Sequence, residues 1–564
     1  MSPHRKIRTD DFIVQGSILA GAAILTKIIG ALYRIPLTRI LGDFGNGVYS
    51  AAFEVYALAL IFSSFSYPIA VSKLVSTRIA RGQRRNANRV FIFALIFSIG
   101  IGLVSSFLIY FNADYIASAL FGSPLSANAL RVLAPGLFIV AVLGVFRGYF
   151  QGMGTMIPTA ISQIVEQIFN AIISIVGAIV LIGVGVSAAQ SLNVRDEFYA
   201  LSYGAAGATL GTIAGALVAL LFLLFAYFMY RNSLRKQLQA DRTKRKEGYD
   251  RIGLIFMMTI IPIMFTTAVY NINNLLDLAL FNNIMRAQGY ETDTYMALQG
   301  IYTGKYLVLI NIPLAMANGL AASVIPSLTR AVADGNSKVI QGKISQVIRL
   351  TTLVAIPCFV AFAVLSSQLM ILLFNDPSPT PAALLSIGAV TVVMYSLATV
   401  TNSVLQGLDK INIPARNAGI ALVIHIITVL IMLVVLRWGI YSLVVSNIVF
   451  AFTMCVLNIS AIKKHSGYTQ DVERTYIKPL IAAIVMGLVA YVSHFLLDMV
   501  ISPIVLQMII VIPIALLVYF FLVIKIGTLS KADLLQLPMG ERLLRVAGVT
   551  RALPKNFLIK NDKF

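Results

Sequence analysis

Apolar residues in this chain gather into long runs separated by short polar connections, and the runs are long enough to cross a bilayer. A span needs roughly 20 predominantly apolar residues. About fourteen stretches meet that requirement, near 12–33, 47–70, 90–111, 130–150, 159–185, 201–230, 252–280, 298–327, 346–372, 382–405, 417–436, 441–461, 480–498 and 504–524. No large polar domain interrupts them. The pattern predicts an all-α polytopic membrane protein of about fourteen transmembrane helices.

Composition narrows the choice. Of 564 residues, 58% are hydrophobic and 12% charged, and soluble domains carry about twice that charge. A soluble fold could not cover its surface, and a disordered chain would be poorer in apolar residues. The formal charge of +21 would suggest nucleic acid in a soluble protein, but its placement gives another account. With the N-terminus inside, the second loop holds Lys73, Arg78, Arg81, Arg84, Arg85 and Arg89 without an acid. The sixth holds Arg231, Arg235, Lys236, Arg242, Lys244, Arg245, Lys246 and Arg251, and the twelfth Lys463, Lys464, Arg474 and Lys478. The alternate connections 112–128, 186–200 and 281–297 are poor in bases. This alternation follows the positive-inside rule and puts both termini on the cytoplasmic side of the membrane. His4, Arg5, Lys6 and Arg8 resemble a signal peptide's charged start, but no small-residue cleavage pattern ends the apolar run, which reads as a retained first span. No nucleic-acid partner is implied.

Two segments recur about 250 residues apart. Ala70–Gly82, with Thr77-Arg78, resembles Ala322–Gly335, with Thr329-Arg330; Gln151-Gly152 to Pro158 resembles Gln406-Gly407 to Pro414. Such self-similarity marks a duplicated unit. The expected organisation is an N-terminal six-helix lobe (1–235), a basic cytoplasmic linker (236–251), a C-terminal six-helix lobe (252–466), a final helix pair (467–527) and an amphipathic tail (528–564) suited to anionic membrane lipids. The lobes are parallel repeats, which predicts a cavity between them and rocking alternating access.

Several motifs fail on inspection. Gly300 to Gly304-Lys305 is one residue short of a phosphate loop and lacks the following Ser or Thr. Gly207, Gly211 and Gly215 form a small-residue stripe that reads as close helix packing. Cys358 and Cys455 sit in apolar runs as packing residues, and the four histidines are scattered, so no metal or other cofactor is expected. External loops are too short for an enzyme's acidic or basic site.

Charges inside the apolar runs each cost about 2.5–3.5 kcal/mol on insertion scales and so ask for a reason. The bases are Lys27, Arg34 and Arg39 in or near span one, Arg131 and Arg147 in span four, Lys305 in span eight and Arg349 in span nine; the acids are Glu54, Glu166 and Asp277. Lys27 and Arg34, seven apart, share a helix face, and Ile35-Pro36 should end or kink that helix. Arg147–Glu166 and Asp277–Lys305 also admit a purely structural reading as ion pairs, and Arg131 and Arg349 a snorkelling one. The excess of cation around span one predicts an anionic substrate, and Arg suits phosphate.

Leu25-Thr26-Lys27-Ile28-Ile29-Gly30-Ala31-Leu32-Tyr33-Arg34-Ile35-Pro36-Leu37, with Leu41-Gly42-Asp43 and Gly47-Val48-Tyr49, resembles the start of the stage V sporulation protein B and YtgP group. Pro68–Val75 and Ser530–Pro538 resemble that group too. It belongs to the multidrug/oligosaccharidyl-lipid/polysaccharide exporter superfamily, beside the MurJ lipid II flippases. The resemblance implies two six-helix lobes plus a helix pair, and flipping of an undecaprenyl-diphosphate-linked sugar precursor, foremost peptidoglycan lipid II. It implies substrate contacts at Lys27, Arg34, Arg39 and Lys305; Arg147 joins these as a cavity base, with Glu54, Glu166 and Asp277 pairing charges or coupling an ion. The second helix departs, offering Glu54 where the group would place a cation. Other readings are export of a teichoic-type or other polysaccharide precursor, a cation-coupled multidrug exporter, and a non-transporting scaffold for envelope-synthesis proteins.

Overall fold

The computed structural model describes residues 9–191, 197–241, 243 and 246–528; the expected amphipathic tail lies outside them apart from its first residue. Among the described residues the regular structure is helical. All fourteen apolar runs fall on helix. Among the described residues, eleven helices are long and apolar enough to cross a membrane, or twelve if the bent pair Pro379–Gly388 and Val390–Gly407 is one span. Part of the difference from fourteen lies at the start, where the first two runs share one near-continuous helical stretch, Gly21–Ala80, of 60 residues. At a rise of about 1.5 Å per residue that is far longer than one crossing.

Helix α1 (Thr9–Leu60) contains the first of those runs and the start of the second, which continues through a π turn, Ile61–Phe65, into α2 (Tyr67–Ala80). Helix α1 passes through Pro36 and breaks instead at Gly42, with φ 63° and ψ −176°. Proline removes one intrahelical donor, which a packed membrane helix tolerates. Gly42 adopts a left-handed φ that lacks a steric penalty only for glycine. The expected kink therefore moves six residues on.

The chain packs as two compact units. The first comprises Met1–Val308 and Val429–Ile440, the second Leu309–Thr428 and Tyr441–Phe564. This division by packing differs from the expected lobe boundary at 236–251: span seven and the start of span eight pack with the first unit. The basic linker is itself pinned there. Glu247 accepts from Arg78 at 2.5 and 3.1 Å and its N–H donates to Asn86 at 3.0 Å. Asp241 accepts from the Arg85 N–H at 2.6 Å and from the Thr243 N–H and hydroxyl at 2.7 and 2.5 Å.

In the first unit, α2 (Tyr67–Ala80), α3 (Arg84–Phe111), α4 (Ala113–Phe121) and α5 (Ser126–Gly152) precede the long pair α6 (Ile157–Ser191) and α7 (Glu197–Gln239). The glycine stripe of α7 packs on α6 as its spacing predicted. A Cβ on Gly207 would lie 2.1 Å from the Gly177 carbonyl oxygen, one on Gly211 2.1 Å from the Ser174 hydroxyl, and one on Gly215 2.5 Å from the Glu166 carbonyl oxygen. Then α8 (Tyr249–Ala287) and α9 (Thr292–Ile301) lead through a π turn, Tyr302–Tyr306, into α10 (Leu307–Ala333).

The second unit contains α10 from Leu309 on, α11 (Ser337–Val364), α12 (Ser366–Phe374), α13 (Pro379–Gly388), α14 (Val390–Gly407), α15 (Asn412–Leu430) as far as Thr428, α16 (Tyr441–Ser466), α17 (Lys478–Asp498) and α18 (Ile504–Lys525). The duplicated segments share their backbone devices. Gly82 and Gly335, which end the first repeated segment in each copy, have φ of 73° and 67°; Gly154 and Asp409, in the second, have 84° and 61°. Gly152 seats against Val75 of α2, and Gly407 against Leu328 of α10.

Candidate functional site

Within the first unit a cavity of about 680 Å³ opens between α1, α5, α6 and α7. Its charged lining residues are Arg34, Arg147 and Glu166. Neutral polar groups complete it: Tyr33, Tyr49 and Tyr56, the amides of Gln151, Gln163, Gln167 and Asn170, and the hydroxyls of Ser64 and Thr212.

The two arginines are in different electrostatic situations. Arg147 is neutralised: its Nη2 lies 2.6 Å from Glu166 and its Nε donates to the Ser162 hydroxyl at 3.0 Å. Arg34 lies over the Tyr49 ring, 4.5 Å from the centroid, and its buried Nη1 has no hydrogen-bond partner. A desolvated guanidinium donor without an acceptor is costly and favours any anion that enters. Glu54 lies within electrostatic range of both Arg34 and Asp277.

The remaining expected residues stand elsewhere. Lys27 and Arg39 are exposed, and neither lines the cavity. Asp277 and Lys305 are buried, at 2% and 6% exposure, and also lie outside the lining. The Lys305 ammonium is 2.5 Å from Asp43, a residue that sequence reasoning noted only within the Leu41-Gly42-Asp43 motif. That pair sits at a tight crossing of α1 and the α9 end. A Cβ at Gly300 would fall 1.7 Å from the Asp43 carbonyl oxygen, and one at Gly47 2.0 Å from that of Met296. Gln299 donates to the Gly47 carbonyl at 3.1 Å and to the Ser50 hydroxyl at 2.9 Å, while the Thr38 hydroxyl donates to the Gly304 carbonyl at 3.0 Å. The glycines of the rejected phosphate-loop motif thus serve backbone packing. Arg131 pairs with Asp114 beside its span end.

Sequence reasoning missed the amide groups of the cavity. Their signal is periodic: Gln163, Glu166, Gln167 and Asn170 stand at i, i+3, i+4 and i+7, one helical face. Ser174 extends it, donating to the Asn170 side chain at 3.0 Å.

The fold and sequence both have known counterparts. The sequence pattern described as polysaccharide biosynthesis protein matches residues 14–332, more than half the chain, and that described as MatE matches 305–431. Lipid II flippase MurJ of Bacillus subtilis (strain 168) is 25% identical over 515 residues, covering 87% of this chain and 90% of the relative. Stage V sporulation protein B of the same organism is 25% identical over 403 residues, covering 71% and 74%. Among solved structures, the inward closed conformation of lipid II flippase MurJ superposes with a TM-score of 0.62 at 15% identity, covering 89% of this chain and 97% of that one. An inward-facing multidrug resistance MATE family transporter superposes at 0.54 and 16% identity, covering 80% and 99%. These likenesses join a transporter fold to a charged internal cavity, and the chain belongs to the polysaccharide biosynthesis protein family of the multidrug/oligosaccharidyl-lipid/polysaccharide exporter superfamily.

Proposed function

We propose that this protein flips an undecaprenyl-diphosphate-linked sugar precursor, specifically peptidoglycan lipid II, from the cytoplasmic to the outer leaflet by alternating access. The observation that carries the reading is Arg34: a half-buried side chain whose shielded Nη1 has no acceptor, on a cavity whose other arginine is already neutralised. A diphosphate supplies the acceptors that Arg34 lacks. The neutral polar lining suits the sugar, while the prenyl chain remains in lipid. The long relation to lipid II flippase MurJ supports the choice of glycan. In this account Lys305 is a structural cation held by Asp43, and Lys27 and Arg39 attract the headgroup from exposed positions on α1. The ion gradient or membrane potential supplies the driving force, and both termini face the cytoplasm.

The test is translocation of fluorescent lipid II in proteoliposomes, paired with rescue of cells depleted of their lipid II flippase. Arg34→Ala should abolish rescue and slow translocation at least tenfold while the protein remains abundant. Undiminished translocation by that variant overturns the anion-cavity reading. Failure of the wild type on lipid II, with transport of another polyprenyl-linked glycan, moves the substrate to a polysaccharide or teichoic-type precursor.

A further inference from the structure

We propose that the amide face of α6 is a glycan subsite, distinct from the anion subsite at Arg34, and that Arg147 serves it as a neutralised member. The assignment rests on the lipid-linked glycan reading above and deepens it. Four buried polar atoms on cavity-lining residues have no hydrogen-bond partner: Nη1 of Arg34, the Tyr56 hydroxyl, Oε1 of Gln163 and Oγ1 of Thr212. Their chemistry is not uniform. The Arg34 nitrogen only donates and asks for an acceptor; the Gln163 oxygen only accepts and asks for a donor; the two hydroxyls do either. An inorganic anion or a bare diphosphate satisfies Arg34 and leaves the Gln163 oxygen unmet. A ligand that meets all four carries an acidic group and, beside it, hydroxyl or amide donors, which is the makeup of a glycosyl diphosphate.

The groups stand on different elements that meet at the cavity. Arg34 is held on α1 against Tyr49, whereas Gln163 and Gln167 belong to one face of α6 and Thr212 to α7; that face reaches α1 at Asn170, which donates to the Tyr33 hydroxyl at 3.4 Å. Thr212 is the more telling because a helical threonine ordinarily returns its hydroxyl to a carbonyl one turn back, and this one does not. Arg147 cannot offer a diphosphate a free charge, since Glu166 already engages it at 2.6 Å. The carboxylate in turn is repulsive to phosphate and a good acceptor for sugar hydroxyls. The stripe is thereby selective: it repels an anion and welcomes a donor-rich neutral group. Gln163 and Arg34 are long, rotatable side chains, so their shielded atoms can turn to a ligand that enters.

The experiment compares two probes on the full chain in nanodiscs: undecaprenyl diphosphate, and lipid II, which adds the disaccharide and peptide. Affinity is read by titration, with the melting temperature of the ligand-free protein as a fold control. The double variant Gln163→Leu/Thr212→Val should lose about tenfold in lipid II affinity, as expected for two neutral hydrogen bonds, and keep its affinity for undecaprenyl diphosphate. Its ligand-free melting temperature should not fall, because it removes unsatisfied atoms. Arg34→Gln should weaken both probes. Gln167→Ala, at a partly exposed lining position, is a second variant expected to show the same selectivity if the double variant unfolds. Equal loss on both probes, or loss on neither, by whichever variant folds, overturns the glycan subsite and leaves the anion reading standing. Failure of wild type to bind either probe overturns both.

Discussion

Gly215→Ala offers a direct test of how the cavity face is held. Gly215 lies on the α7 stripe, and a Cβ there would come 2.5 Å from the Glu166 carbonyl oxygen and 3.1 Å from the backbone N and Cβ of Asn170. Ordinary carbon–oxygen contact needs about 3.3 Å or more, so α6 must retreat by about 0.8 Å at the very turn that carries Glu166 and Asn170. Overpacking of this kind costs about 1–3 kcal/mol, against a gain of at most about 1 kcal/mol in helix propensity from replacing glycine. The matching control is Gly183→Ala on α6, where a Cβ meets nothing within 4 Å and the propensity gain stands alone. Thermal unfolding in detergent should place Gly215→Ala below wild type and Gly183→Ala at or above it. Glycan translocation should fall for Gly215→Ala even at temperatures where it remains folded, because the Arg147–Glu166 pair and the amide stripe move with the helix. Equal melting temperatures for the two variants would refute the claim that the stripe sets the α6 position.

Three further outcomes follow from the same geometry. Asp43→Asn removes the carboxylate 2.5 Å from the buried Lys305 ammonium and should destabilise by about 3–5 kcal/mol; Lys305→Met placed on top of it should restore much of the loss, and a double-mutant cycle in thermal unfolding measures the coupling. Asp241 titrates below the ordinary carboxylate range: burial works to raise it, but the Thr243 hydroxyl, the Arg85 and Thr243 N–H groups and the Arg85 charge together outweigh burial. A depressed folded pKa means the stabilisation is present above about pH 4 and is lost as pH falls through the folded value, so the melting difference between wild type and Asp241→Asn should shrink in acid; a constant difference would show that its charge is not what pins the linker. Finally, Arg34→Lys retains the charge but not the planar fork, and its translocation rate should fall between those of wild type and Arg34→Ala.

Hydropathy made the helices legible because a bilayer demands long apolar runs wherever the chain crosses, and the duplication was legible because its turns need left-handed residues at fixed places. Gly82 with Gly335, and Gly154 with Asp409, bear this out in their φ angles. Proline was a poorer guide, since a packed membrane helix absorbs Pro36 while Gly42 alone can take the break that α1 requires. Arg34, Arg147 and Glu166 could be singled out as cavity residues from their cost in an apolar run. The amides Gln163, Gln167 and Asn170 could not be found that way, because neutral polar side chains barely lower the hydropathy of a long run.

Lys305 and Arg34 show where charge ceases to be sufficient evidence. Both are intramembrane cations in a chain with an anionic-substrate resemblance, and sequence gives no ground for separating them. Packing does. Gly300 and Gly47 bring α9 and α1 into backbone contact, which leaves Lys305 buried with Asp43 beside it. Breaking such a pair exposes an uncompensated charge, so its removal should register mainly as lost stability. Arg34 sits at the cavity with a donor unmet, so its removal relieves an unsatisfied group and should register mainly as lost transport. Burial of a cation is therefore not in itself a reason to propose a substrate contact; the Arg34 Nη1, without a protein acceptor on a residue that borders a cavity, is the reason the proposed contact falls there and not at Lys305.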